Sequence, residues 1–314
     1  MAGRHVGAWF AASLLAACCL YLGASWVILT ILITPERKPH RQSPAELGFH
    51  HVRELALRSR TDGTPLRGWL VPSDGPAAVI LLHGLHSNAW DCQTPDLVRA
   101  YARAGFRVLL LDLRGHGASG GQHAGLGLLE RGDVQAAMDV LVREKVAPGR
   151  IGVHGTSYGA AVALLAAAEL GAIGAVIADS SFTSVRDAIG AELARRTGLP
   201  AGLAGVLMPG LRLLTRLTEG VEVDDAAPVE AMGRIAPRPV LLIHGTADAV
   251  IPYEQAERLQ AAGPSAVLWP LRGAAHTQGV RLVPDCGRPA PTRELFLRRV
   301  VGFLAHHLAV GHAR

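Results

Sequence analysis

Ile151-Gly-Val-His-Gly-Thr-Ser157-Tyr-Gly159, running into the alanine-rich stretch AAVALLAAAEL at 160–170, is the segment from which the rest of the chain can be read. Residues 151–153 have the size and branching of a buried strand, and 158–170 have the composition of a helix. Gly155 and Gly159 flank Ser157 in a G-x-S-x-G pattern set between the two. That is the strand–turn–helix context a nucleophile elbow needs. The turn must be sharp to lift a serine hydroxyl clear of the sheet edge. A side chain on either neighbour would then collide, so both elbow positions are glycine. The following helix directs its first N–H groups at any oxyanion formed above the serine. Glycine and serine are common residues, so the placement carries more weight than the pattern.

The segments on either side repeat the theme. Residues 77–82 (AAVILL), 107–111 (RVLLL), 175–178 and 240–243 are continuous apolar runs, as expected of strands buried on both faces, and 266–269 is a weaker one. Helical patterns at 95–104, 128–146, 158–170, 254–262 and 292–308 separate them. Residues 52–58 and 68–71 suggest an opening antiparallel pair. The alternation predicts an α/β fold, a doubly wound and mostly parallel sheet. Ligands on such a sheet bind beyond the carboxyl ends of the strands, so the residues that follow each strand are the candidates for chemistry.

Three of those strand ends carry the residue types of a nucleophilic triad. Ser157 follows the strand at 151–153. His244-Gly245-Thr246-Ala247-Asp248 follows 240–243, and Gly273-Ala274-Ala275-His276 follows the next strand. The order Ser157, Asp248, His276, with gaps of 91 and 28 residues, suits a serine nucleophile, a histidine base and an aspartate that orients it. His83-Gly84-Leu85-His86 follows 77–82, and the backbone N–H groups of Leu85 and Tyr158 are the expected oxyanion hole. His83 and His86 are expected to brace that loop. Their H-x-x-H spacing has no acidic ligand near it, so neither metal nor cofactor is expected. Asp179, after 175–178, is a rival acid, read here chiefly as the cap of the next helix.

The amino-terminal segment has a different character. Residues 8–33 are 26 positions without Asp, Glu, Lys, Arg or His, above the ~20 that cross a bilayer as a helix. Leu15-Ala16-Ala17-Cys18 resembles a lipoprotein cleavage box, and a signal peptide is the other rival. The apolar run continues for 15 residues past Cys18, which favours an uncleaved, single-pass anchor. Arg37, Lys38, Arg41 and Arg53 follow it against Arg4 before it, a bias that favours a cytoplasmic catalytic domain. Residues 1–34 are thus read as the anchor and 35–46, with three prolines, as a linker. The remainder, 47–314, is read as one domain, expected to be soluble when cut free near Pro35.

Composition narrows the partners. The formal charge is +5 and the pI about 9.4, but Lys38 and Lys145 are the only lysines and the arginines are scattered. No basic block points to nucleic acid. Cys18, Cys19, Cys92 and Cys286 are too few for a disulfide scaffold; as buried free thiols Cys92 and Cys286 need no special function, and the sequence leaves open whether they pair.

Together the stretches VILLHGLHSN (79–88), LDLRGHGASGG (111–121), GVHGTSYGAAVAL (152–164), IADSSFTSV (177–185), PRPVLLIHGTADAVIP (237–252) and GAAHTQG (273–279) resemble the α/β-hydrolase superfamily over about 47–310. Within it the chain is most similar to serine aminopeptidase-like and prolyl oligopeptidase-like hydrolases with an amino-terminal membrane anchor. The resemblance implies hydrolysis of an ester, a thioester or an amide without choosing among them. It makes Asp112 and Arg114 turn-bracing residues. It also implies a lid at about 184–238, where Leu203, Val206, Leu207, Leu211, Leu214 and Leu217 fall on one helical face and Pro209-Gly210 predicts a break into two short helices. An apolar lid suits a small-molecule acyl substrate. The alternatives are peptidase or thioesterase activity on the same triad, and a membrane-tethered binding protein on a hydrolase fold.

Overall fold

A computed structural model describes residues 2–198, 200–282 and 287–309. It begins with α1 (Ala2–Ile33). Then come β1 (Arg53–Arg58), β2 (Pro65–Val71), β3 (Ala78–Leu82), α2 (Thr94–Arg103), β4 (Arg107–Asp112), α3 (Glu130–Arg143), β5 (Ile151–Thr156), α4 (Tyr158–Glu169) and β6 (Ile173–Asp179). Three helices, α5 (Val185–Thr197), α6 (Ala204–Thr218) and α7 (Pro228–Ile235), separate β6 from β7 (Val240–Gly245). The chain continues through α8 (Glu254–Ala262), β8 (Ala266–Leu271) and α9 (Arg293–Leu304).

The eight strands form one sheet in the order β1-β2-β4-β3-β5-β6-β7-β8. β1 and β2 are antiparallel, as are β2 and β4; every other pair is parallel. This is the doubly wound, mostly parallel sheet expected from the alternating apolar runs, in the α/β-hydrolase arrangement that the resemblance implies. The runs are continuous because the sheet divides two cores. Ala78, Ile80 and Leu82 of β3 face one core, with Leu109 and Leu111 of β4 and Val240 and Leu242 of β7. Val79, Leu81, Val108, Leu110, Leu241 and Ile243 face the other. Period-2 strands with helices on both sides need apolar residues at every position.

The helix α1 does not stand apart from the domain. Residues 7–20 are exposed throughout, but Ser25, Leu29 and Ile33 are buried, at the i, i+4, i+8 spacing of one helical stripe. Leu29 and Ile33 belong to the same core as β3 and α4. Tyr21 reaches further. Its hydroxyl donates to the Val206 carbonyl at 2.9 Å and accepts from the Gly210 N–H at 2.8 Å, so it sits inside the i→i−4 step of α6 that those two groups would otherwise close. Gly210 permits the approach, since a Cβ there would lie 2.2 Å from Ser25 Oγ.

Three expectations change here. The break at Pro209-Gly210 is absent; α6 is one helix with Pro209 inside it. Pro209 has no N–H to give, and Tyr21 serves the Gly210 N–H next to it, so the helix runs on against α1. The single apolar face also divides. Leu211 is buried with Ala204 and Met208, whereas Leu203, Val206 and Leu217 are exposed. Residues 35–46 are not a free spacer. Arg37 donates to the carbonyls of Gly117 and Gly121, at 3.0 and 2.7 Å, and also to that of Ser119. The Asn88 amide donates to the carbonyls of Lys38 and Pro39, and the Glu36 N–H donates to His86 Nδ1 at 2.9 Å. The prolines signalled extended chain, and the partners that hold it are 49 to 84 residues away.

Candidate active site

Ser157 stands between β5 and α4 with φ 54° and ψ −117°, a strained backbone for a residue with a side chain. The turn is as tight as the glycines imply. A Cβ on Gly155 would lie 2.0 Å from the Gly159 carbonyl oxygen, and one on Gly159 would lie 2.4 Å from that of Leu82. The Ser157 N–H donates to the Asp179 carbonyl at 2.7 Å, tying the elbow to the end of β6.

The structure brings the three strand-end residues together. The Ser157 hydroxyl lies 2.9 Å from His276 Nε2, and His276 Nδ1 lies 2.7 Å from Asp248 Oδ2. With the Nδ1 proton donated to the carboxylate, Nε2 is left as the acceptor facing Ser157. Asp248 is held from every side. Its Oδ1 accepts from the N–H groups of Val250 and Ile251, each at 2.9 Å, and His244 Nε2 lies 3.3 Å from its Oδ2. Burial alone would raise this carboxyl. The hydrogen bonds from His244 and His276 outweigh it and hold the acid well below the usual carboxylate range. His244 also donates to the Ile251 carbonyl at 2.9 Å, fixing the loop that carries Asp248. Gly245 closes the site from below, because a Cβ there would meet the Ala274 carbonyl oxygen at 2.3 Å.

The loop after β3 passes directly over the elbow; a Cβ on Gly84 would lie 3.3 Å from Ser157 Cβ. His83 braces this loop, with Nδ1 2.8 Å from the Gly84 carbonyl and Nε2 accepting from the Leu113 N–H at 3.1 Å. Burial pushes its pKa down, so the ring is neutral and suited to that pair of bonds. Leu85 is half-buried beside it, and Tyr158 opens α4. Asp112 and Arg114 are fastened in the turn after β4. Asp112 accepts from the N–H groups of Ala89 and Ala118, each at 2.7 Å, and Arg114 pairs with Asp133 and Asp62.

Asp179 does not cap the next helix; Ser184 does, accepting from the Asp187 N–H at 3.1 Å. The intervening residues 180–183 carry the chain away from β6 before α5 begins, which puts Asp179 too far back in sequence for a cap. Its carboxyl accepts from the Ser180 hydroxyl at 2.9 Å and lies buried, and burial raises its pKa to about 6. Of the two states the sequence leaves open for Cys92, the structure has the disulfide-bonded one; Cys286 lies outside the described residues. Among the described residues no group of three or more His, Cys, Asp or Glu is arranged to hold a metal.

Two contributors escape a reading of the sequence. His244 stands there as part of the run into Asp248, although an imidazole four residues before a buried carboxylate is a pairing worth testing. Glu36 binds His86 from 50 residues away, with no local pattern to announce it. A cavity of about 20 Å³ lined by His83, His154, Thr156 and Asp179 lies at the foot of the site, and is too small for an organic substrate. A cleft of about 540 Å³ opens between α5, α6 and α7 and includes none of Ser157, Asp248 or His276.

Known proteins resemble this chain. The chain is 34% identical over 206 residues to the uncharacterized protein YfhR of Escherichia coli (strain K12), covering 63% of this chain and 64% of that one. It is 31% identical over 200 residues to the uncharacterized protein YqkD of Bacillus subtilis (strain 168), with the same coverage. The chain thus spans about 64% of the length of these relatives. Among solved structures, the esterase Pf2001 of Pyrococcus furiosus superposes with a TM-score of 0.68 at 26% identity, covering 88% of this chain and 98% of that one. A family model described as the alpha/beta hydrolase family matches residues 79–294, a stretch that includes the Ser157 elbow, Asp248 and His276. With that match over more than half its length, the chain belongs to the alpha/beta hydrolase family.

Proposed function

We propose that the protein is a membrane-anchored serine hydrolase that cleaves a carboxylic ester or a related acyl bond through an acyl-enzyme. The observation that carries this reading is the unbroken chain from Ser157 Oγ through His276 to Asp248, at 2.9 and 2.7 Å, on a serine whose backbone is strained. His276 Nε2 takes the Ser157 proton as the hydroxyl attacks the carbonyl carbon. Asp248, ionised and immobilised, holds the imidazole in the tautomer that accepts and stabilises the imidazolium that forms. The N–H groups of Leu85 and Tyr158 receive the oxyanion. His276 then protonates the leaving group, and water activated by the same imidazole releases the acid. The roles require no metal or cofactor.

The likeness to an esterase structure supports esters over amides. Peptidase or thioesterase activity on the same triad is the alternative. For the anchor, the support is α1, whose segment from Gly7 to Ile33 is long and apolar enough to cross a membrane. Ser25, Leu29 and Ile33 are packed against the domain, which supports retention of at least the second half of that helix. The disulfide at Cys92 weighs against the cytoplasmic placement favoured by the charge bias, because disulfides persist on the oxidising side of a membrane. We place the hydrolase domain there.

The test is a panel of p-nitrophenyl esters of rising chain length, acyl thioesters and aminoacyl anilides. Esters are expected to turn over best, with kcat/KM rising from acetate to octanoate by up to about fourfold per methylene, the worth of ~0.8 kcal/mol of burial. Faster cleavage of the anilides would replace the esterase reading with the peptidase one.

A further inference from the structure

We propose that α6 is immersed in the membrane beside the docked half of α1, so that the mouth above Ser157 opens at the lipid surface and takes acyl esters dissolved in the bilayer. The inference rests on reading α1 as a membrane span and Ser157 as a nucleophile, and it adds the substrate's location.

Helix length decides the matter. A bilayer core is ~30 Å thick and takes ~20 helical residues. Between Gly7, the first residue of the apolar span, and Leu20, every residue of α1 is exposed. Those 14 residues span only about 21 Å at ~1.5 Å each. The remaining third of the span has to come from the docked half, where Tyr21 and Ser25 lie against α6. Tilting the helix only lengthens the requirement. α1 therefore cannot cross without drawing the α6 face beside it into the hydrocarbon.

That face is built for it. Leu203, Val206, Gly210, Leu213 and Leu217 recur at steps of three and four, on the side of α6 away from the core-facing Ala204, Met208, Leu211 and Thr215. α1 covers the stripe at Gly210 only. Val206 and Leu217 stay 61% and 71% exposed, and Leu203 and Leu213 are exposed as well. The outward side of the docked half of α1 continues the surface with Trp26, Val27 and Ile31, all about half exposed. The charges of α6, Arg212 and Arg216, lie off the stripe and pair with Asp224 and Glu222. A large apolar surface of this kind, continuous with a membrane-spanning helix, has lipid as its natural occupant.

The mouth follows from the exit of α1. Three residues after Ile33, the Glu36 N–H is bonded to His86, next to Leu85 on the loop over the elbow. Leu85 and Leu32 pack against one core, with Leu207 and Leu214 of α6. The end of the membrane helix is thus within about 10 Å of chain of the loop over Ser157.

The full-length protein, reconstituted in phosphatidylcholine vesicles, provides the test. A spin label at Leu213→Cys or Leu217→Cys, in a Cys18→Ser, Cys19→Ser background, should be reached by oxygen at least several-fold better than by a water-soluble nickel chelate. Preferential access by the nickel chelate at both positions overturns the immersion. Leu213→Glu with Leu217→Glu should lower the ratio of vesicle-borne p-nitrophenyl laurate hydrolysis to p-nitrophenyl acetate hydrolysis at least tenfold. An unchanged ratio overturns entry from the lipid. Ester hydrolysis that survives Ser157→Ala would instead strike the hydrolase reading, while the label depths still judge the position of α6.

Discussion

Asp248 and Asp179 lie at the ends of neighbouring strands, and their surroundings drive them apart. Asp248 accepts from two backbone N–H groups and from His276, with His244 beside it, and its carboxyl is held far below the usual range despite burial. Asp179 is buried with one serine hydroxyl as its donor, and its pKa rises to about 6. The first stays ionised through the assay range, and of the two it is the one hydrogen-bonded to His276, so Asp248 is the triad acid of the proposed mechanism. Asp248→Asn should keep the fold and lower kcat by about 10⁴, the loss seen when a triad imidazole is left in the wrong tautomer. Asp179→Asn should leave kcat within a few-fold at pH 7.5, and an inverse result would exchange the two roles. Asp179 should show itself in stability. Its folded form binds the proton more tightly than the unfolded chain, whose pKa is near 3.9. Stability is therefore lost as pH rises from about 4 to about 6 and is level above that. The loss is up to about 3 kcal/mol relative to Asp179→Asn. Denaturation of both proteins at intervals across pH 4–7 measures it, and a constant difference would contradict the assignment.

At the scale of elements, α1 and α6 hold each other. Gly210→Ala places a methyl group against Ser25 and should cost about 1–3 kcal/mol, the usual penalty of overpacking, read as a lower apparent Tm. Ala12→Gly, on the exposed part of α1, should move Tm much less, because residues 7–20 are exposed throughout. If the two variants behave alike, the packing of α1 on α6 is not present in solution. This contact separates what sequence can and cannot show. The grouping of Ser157, Asp248 and His276 was legible because each follows a strand that the sequence predicts, and a strand end is a local feature. The elbow glycines were legible for the same reason, since their constraint comes from residues within a few positions. The Tyr21 insertion joins positions 189 residues apart, inside a helix whose apolar residues surround it on all sides. A uniformly apolar helix has no pattern to say which stripe will be docked. Pro209 misled for a related reason. The rule that proline breaks a helix holds for a helix left to itself, and here a tyrosine hydroxyl and a packed neighbour sustain it.

For the whole molecule, the consequence is that the carboxyl-terminal half of α1 is part of the core. Leu29 and Ile33 are almost wholly buried, and the Ile33 carbonyl accepts from the Ala124 N–H at 2.6 Å. Removing a buried leucine or isoleucine side chain costs about 2–5 kcal/mol, and a chain begun near Pro35 loses two of them together with the cover of Gly210. Such a truncation should aggregate or melt well below the full-length protein, where the sequence alone predicts a soluble, competent domain. A chain begun near Tyr21 should retain stability while losing most of the exposed apolar segment. If the shorter chain proves as stable as the longer one, the docked half of α1 is only a tether. The proposed catalysis, in turn, depends on Ser157 being the residue whose hydroxyl His276 activates. The most direct measurement is covalent labelling of the full-length protein by a fluorophosphonate, followed by mapping of the modified residue. The prediction is stoichiometric modification at Ser157, abolished in Ser157→Ala and strongly slowed in His276→Ala. Labelling at another serine, or undiminished labelling of Ser157→Ala, would contradict it.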